Sequence, residues 1–261
     1  MNEITLYASN VRGLASNTKY NRKITITNIE TLRKALSVDY VPVSYKDNTR
    51  SIKNFISSNC IIVDLDNDHS DNEADFIDIN KVKEAFPNVR FYVHYSRNNM
   101  KPKNGKSPRP KFHIIFFCNE ITDEKAYSKL KQEIYDYFPY IDNNALDSAR
   151  FFFGTENPQV EYVDGEITID EFIKEAKIMK HCVFANNYHM KPNSLIMTSK
   201  LKTKPLETIE VSLDKLEVIQ AYGHDNQITK YHNDIINLVN QNMKLIKERL
   251  NKMKTKCPQK T

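Results

Sequence analysis

The chain has 261 residues, 40% of them hydrophobic, enough to bury the core of one generous domain, with room for a smaller appendage. With 38 Lys and Arg against 33 Asp and Glu, the formal charge is +5, a mildly basic balance that accommodates a polyanionic partner without requiring one. Cys60, Cys118, Cys182 and Cys257 are scattered without a CxxC pair, which argues against a disulfide framework, and neither a leader-like apolar head nor a run of the ~20 apolar residues that a bilayer needs is present. A reducing cytoplasm and no membrane partner are therefore expected.

In chain order, Ile4 to Tyr7 and Lys23 to Thr27 read as short strands, and Asn28 caps a helix with Ile29, Leu32 and Leu36 on one face. Cys60 to Leu65 is an apolar run too short for a helix that ends in a cluster of acids, as a buried strand does at a charged rim. After the acidic stretch Asp68 to Asp78, Val82, Ala85 and Phe86 fit a short helix stopped by Pro87, and Phe91 to Tyr95 fit a strand. Arg97, Lys101, Lys103, Lys106, Arg109 and Lys111 then make a basic loop without an acid, followed by a strand from Phe112 to Cys118. A helix from Thr122 to Phe138 carries Tyr127, Leu130, Ile134 and Phe138 on one face. Arg150 to Phe153 and Val160 to Val163 are strand-like, and Thr168 with Glu171 makes a capping box that opens a further helix. The compact domain is expected to close by residue 180, followed by a polar linker over 181–228 and an amphipathic docking helix with a basic tail over 229–261.

The sharpest chemical signal is Val63-Asp64-Leu65-Asp66, because side chains two apart on a strand share a face and both carboxylates can reach one site. Paired carboxylates at one edge suit Mg²⁺ or Mn²⁺, which take oxygen ligands and leave room for water and substrate phosphates. A solvated acidic turn is the plain alternative. Asp64 to Asp75 places acids as a calcium loop of the EF-hand type does, but His69 stands where that loop needs glycine and a strand precedes it. In Lys111-Phe112-His113-Ile114, alternation puts Lys111 and His113 on one face, and the basic loop before them suits a triphosphate. The third element runs from Tyr140 through Asp142 and Asp147 to Arg150-Phe151-Phe152-Phe153-Gly154. It offers a further carboxylate and an arginine clamp, although either aspartate could simply cap a turn. His181, Cys182 and His189 lack a fourth ligand at zinc spacing and are not assigned. An aspartyl phosphatase of the haloacid dehalogenase type also places Asp-x-Asp after a strand, but Asp68 occupies the place where that family wants Thr or Val.

A strand ending in Asp-x-Asp, a histidine in a later strand, and a hydrophobic-Asp before an Arg-aromatic strand, in that order, resemble the archaeo-eukaryotic primase superfamily. The resemblance is to its primase-polymerases of phages, plasmids and integrated mobile elements. Phe55-Ile56-Ser57-Ser58-Asn59 before the first motif and Arg150 to Gly154 after the third also look like that group. The resemblance covers roughly residues 50 to 165. It implies an α+β fold: a modified RNA-recognition-like, mixed or antiparallel sheet with packed helices, here followed by a small helical C-terminal region. It implies Asp64, Asp66 and Asp142 as ligands of two Mg²⁺ or Mn²⁺ ions, with Asp147 as the alternative third carboxylate. His113 would be both catalytic and nucleotide-contacting, with Lys111, Arg109 and Arg150 at the phosphates. Nucleoside triphosphates and a single-stranded DNA template are the implied partners, for primer synthesis or polymerisation. Lys111 departs from the serine frequent in the second motif, and no Gly-Lys-Ser/Thr phosphate loop of a fused helicase occurs, so either a separate helicase or replication protein is a further expected partner or the sequence is a piece of a longer protein. A non-catalytic DNA-binding replication protein retaining this fold is the alternative.

Overall fold

In the computed structural model, which describes residues 3–102, 105–179, 193–202, 204–223 and 227–256, the chain divides into two compact units, Met1–Ile173 and Lys174–Thr261. The first unit opens with β1 (Ile4–Ala8), β2 (Arg22–Ile26) and β3 (Tyr40–Val41), an antiparallel sheet in the order β2-β1-β3. Helix α1 (Ile29–Leu36) starts after β2 because Asn28 and Thr31 cap it reciprocally. The Asn28 side chain accepts from Thr31 N at 2.9 Å, and the Thr31 hydroxyl accepts from Asn28 N at 3.1 Å.

The main sheet contains β4 (Ser44–Tyr45), β5 (Phe55–Leu65), β6 (Phe91–Tyr95), β7 (Phe112–Ile121) and β8 (Val160–Val163), ordered β4-β5-β7-β6-β8 with every pairing antiparallel. Helices α2 (Ile79–Ala85), α3 (Glu124–Tyr137) and α4 (Ile169–Met179) lie between or after these strands. One face of the sheet, with Cys60, Ile62, Tyr92, Ile115 and Phe117, packs on Ile4, Leu6, Leu32 and Leu36 of β1 and α1. On the other face Phe116 meets Phe86, which also touches Tyr137 and Phe138 at the end of α3. Apolar contacts on both sides explain why β5 and β7 read as continuous hydrophobic runs rather than as alternating ones. Each fully buried Ile or Phe here contributes roughly 2 kcal/mol of transfer free energy. The fold is α+β with antiparallel sheets, as expected.

Three readings are corrected by the structure. Arg150 to Phe153 forms no strand: only Phe152 pairs, with Tyr40, through N–H···O bonds of 3.0 and 2.9 Å. Two residues on, Gly154 passes so close to the main chain of Val38 that a β-carbon there would collide with its carbonyl oxygen. The stretch expected as a linker holds β9 (Ser194–Leu201), β10 (Lys204–Ser212) and β11 (Glu217–Tyr222), an antiparallel sheet ordered β11-β10-β9. In β10 the inward Ile209 and Val211 alternate with Thr208, Glu210 and Ser212, which dilutes the signal in sequence. The long C-terminal helix is two, α5 (His232–Gln241) and α6 (Met243–Lys256), broken at Asn242, whose side chain donates back to the Leu238 carbonyl at 2.8 Å. Among the described residues no helix is long and apolar enough to cross a membrane. Lys103, His181, Cys182, His189 and the last residues of the basic tail lie outside the described residues.

Candidate active site

Strand register builds a polar row at one end of the main sheet. Asp64 of β5 stands opposite His113 of β7, and His113 stands opposite His94 of β6. These three occupy the face that, further in, carries Ile62 and Ile115. Tyr40 of β3 reaches over the row, its hydroxyl 2.8 Å from His113 Nδ1 and 2.8 Å from His94 Nδ1. His94 Nε2 lies 3.1 Å from the Thr155 hydroxyl. Phe152 stacks on Tyr40 at 5.7 Å and presents an edge to His113 at 4.9 Å. His94 is 0% exposed, and burial pushes it well below the ordinary histidine range, while burial, partly offset by Asp66, brings His113 down to about 4. Both rings are therefore neutral at physiological pH.

The Asp64 side chain is 13% exposed, and its Oδ1 has no hydrogen-bond partner; His113 Nε2 faces it at 3.6 Å, while Oδ2 is 3.5 Å from the Arg150 guanidinium. Burial pushes this carboxyl up to about 6, with Arg150 opposing the rise and Asp142 adding to it. The Asp142 main-chain N–H donates to the Asp64 carbonyl at 2.8 Å, tying the loop after α3 to the end of β5, and the Asp142 carboxylate is 3.7 Å from the same Arg150. Its Oδ1 also accepts from Asn144 N at 2.9 Å and Nδ2 at 3.0 Å, capping a single 3-10 turn. Asp147 instead accepts from Ala149 N at 2.6 Å, so Asp142 is the aspartate that shares Arg150 with Asp64. Asp66 is 3.3 Å from the buried Lys111 ammonium, and its carboxyl is raised by burial and by Asp64.

In the basic loop, Arg97, Lys106, Arg109 and Lys111 already have partners. Arg109 is 1% exposed, and its guanidinium donates to the Asn67 and Ser70 carbonyls at 2.9 and 3.0 Å and to Asp71 at 2.8 Å, while stacking over Phe76 at 5.1 Å. It pins the acidic loop after β5 and has no donor left for a nucleotide, which corrects its expected role. Lys106 pairs with Asp68 at 3.2 Å, and Arg97 covers the Phe153 ring at 4.2 Å. Lys111 stays in the site, but as the partner of Asp66. Of the expected phosphate-binding residues, Arg150 and His113 are the two that face Asp64.

Among the described residues, no three Asp, Glu, His or Cys side chains gather closely enough to hold a metal ion. The donor chemistry still suits a hard cation: Asp64, Asp66 and Asp142 offer only oxygen, and Asp64 Oδ1 is a buried acceptor without a donor. One oxygen of Asp66 faces Lys111, and one oxygen of Asp142 caps its turn. Tyr40, His94 and Thr155 were not found by sequence reasoning. The signal for His94 was there, a lone polar residue in the apolar run Phe91 to Tyr95, the same feature that singled out His113.

Fold and site together define an α+β protein with a carboxylate and histidine site at the strand ends of an antiparallel sheet. Residues 118–236 match the family model described as PcfJ-like protein, a stretch that includes Asp142 and Arg150 but neither Asp64, Asp66 nor His113. No curated protein matches the chain. Among solved structures, the AEP domain (PP-N190) of the Cyanophage S-2L primase-polymerase is similar, with 14% identity and a TM-score of 0.38, over 65% of this chain and 86% of that one.

Proposed function

We propose that the first unit catalyses template-directed nucleotidyl transfer, making or extending primers on single-stranded DNA from nucleoside triphosphates. The observation that carries this reading is Asp64, a carboxylate desolvated at a strand end with one oxygen lacking any donor, in a row with His113 and beside Asp142 and Arg150. Mg²⁺ or Mn²⁺ held by Asp64, Asp66 and Asp142 would activate a primer hydroxyl and stabilise charge at the α-phosphate and the leaving pyrophosphate. Arg150 neutralises the carboxylate cluster and can take a phosphate oxygen bidentately. His113, neutral and backed by Tyr40, offers Nε2 to the same space. Catalysis then comes from positioning and electrostatics, with no covalent protein intermediate. A separate helicase or replication protein is the partner proposed for unwinding.

A second reading, a DNA-binding replication protein without catalysis, is favoured by one observation: the Lys111 ammonium already neutralises Asp66, where a catalytic cation would stand. Primer extension and unprimed synthesis on single-stranded DNA with Mg²⁺ or Mn²⁺ separate the two. Products that vanish in a folded Asp64→Ala, Asp66→Ala double variant support the first reading. Intact DNA binding with no synthesis under either metal supports the second.

A further inference from the structure

Thr155, His94, Tyr40 and His113 form a hydrogen-bonded chain that ends at the acidic site. Its links are Thr155 Oγ1 to His94 Nε2 at 3.1 Å, His94 Nδ1 to the Tyr40 hydroxyl at 2.8 Å, and that hydroxyl to His113 Nδ1 at 2.8 Å. His113 Nε2 then faces Asp64 Oδ1 at 3.6 Å. The Tyr40 hydroxyl has one proton, so it donates to one imidazole and must accept from the other. Two neutral rings flanking it are therefore opposite tautomers. If His113 carried its proton on Nδ1, the bare Nε2 lone pair would confront the Asp64 carboxylate. With the proton on Nε2, an N–H dipole points at that carboxylate instead, and the electrostatics select this arrangement. It leaves His94 protonated on Nδ1 and bare on Nε2, where the Thr155 hydroxyl donates, so every link in the chain is satisfied.

We propose that Tyr40, backed by His94 and Thr155, is a positioning device that donates to His113 Nδ1, holds the ring in the Nε2–H tautomer that Asp64 selects, and presents that N–H as a fixed donor to a phosphate oxygen of a bound nucleotide. At 3.6 Å the Nε2–H and Asp64 Oδ1 are too far apart for a full hydrogen bond, which leaves the donor available to an incoming anion. Phe152, stacked on Tyr40 and edge-on to His113, keeps both rings from turning away. The phosphate half of the proposal rests on the nucleotidyl-transfer reading; the tautomer half does not.

The test is long-range proton–nitrogen NMR on the full chain labelled at histidine, with the two rings assigned from His94→Gln and His113→Gln. The expected spectrum has His113 as the Nε2–H form and His94 as the Nδ1–H form. Tyr40→Phe, checked for folding by circular dichroism, moves His94 to the Nε2–H form and weakens dATP binding by about tenfold, as loss of an orienting partner does. If that variant does not fold, Thr155→Val reads the same chain from its far end, through the nitrogen shifts of His94 Nε2 and His113 Nδ1. Identical tautomers on both rings, or shifts that ignore Tyr40→Phe and Thr155→Val alike, overturn the proposal. Correct tautomers with unchanged dATP binding in Tyr40→Phe overturn its phosphate half. Correct tautomers and weakened dATP binding, in a protein that never extends a primer, uphold the device and sink the nucleotidyl-transfer reading instead.

Discussion

Asp39 and Asp64 are both carboxylates in the interior of the first unit, and their surroundings treat them in opposite ways. Asp39, 0% exposed, accepts main-chain N–H bonds from Gly13 at 2.9 Å, Leu14 at 3.0 Å and Gly154 at 3.1 Å, fastening two loops to one point. Asp64 has Arg150 at 3.5 Å and an Oδ1 without a donor. A buried charge whose bonds are all made belongs to the architecture, whereas one left short marks a place that a ligand completes.

The comparison breaks first on activity. Asp64→Asn is expected to lower metal-dependent nucleotide incorporation by about 10³-fold or more, while Asp39→Asn, where folded, stays within several-fold of wild type; steady-state incorporation assays measure both. On stability the order reverses. Asp39→Ala strands three amide donors and is expected to cost about 4 kcal/mol in denaturant unfolding. Asp64→Asn should instead stabilise the protein at about pH 8 without divalent metal, by up to roughly 3 kcal/mol, because burial raises that carboxyl from 3.8 to about 6. Its folded value lies above its unfolded one, so the wild type holds that stability below pH 3.8 and loses it as the pH rises through about 6. The gain from Asp64→Asn must therefore vanish near pH 4, and a gain unchanged there would exclude the desolvated charge as its cause.

A third buried charge sharpens the contrast with the smallest effect. Lys131 donates to the Asp147 carbonyl at 3.0 Å, and burial brings its ammonium down to about 7. The folded value lies below the unfolded one, so the wild type gains stability as the pH climbs from about 7 toward 10.5. Lys131→Met should raise stability by about 2 kcal/mol near pH 6 and by less near pH 9, read from thermal unfolding at both.

What was legible in the sequence follows from how locally each feature is encoded. β1, α1, β6 and α3 sit within a residue or two of their expected bounds, because their signals, the Asn28 cap or the face of Tyr127, Leu130 and Ile134, lie within one element. Asp64 and His113 were legible as polar residues of apolar strands, Asp142 and Arg150 as residue types in the third motif, and the four converge. Arg109 was misread because a cation in a polar loop looks the same in sequence whether it is free or bound to main-chain carbonyls of a loop some forty residues upstream. The sheet of β9, β10 and β11 was missed because polar residues punctuate its apolar ones. Tyr40 went unread because a two-residue strand leaves no periodicity to detect.

The main-chain bond from Asp142 to the Asp64 carbonyl carries a consequence for redesign. It makes the distance between these positions a property of the backbone, independent of what either side chain is. Donor chemistry can therefore be exchanged without moving the address: histidine or cysteine at position 142 would trade a hard oxygen for a borderline or soft donor beside an unchanged Asp64. If the proposed metal-dependent function holds, the pair would act as a socket whose preference shifts from magnesium and manganese toward zinc or iron as one residue at a time is altered.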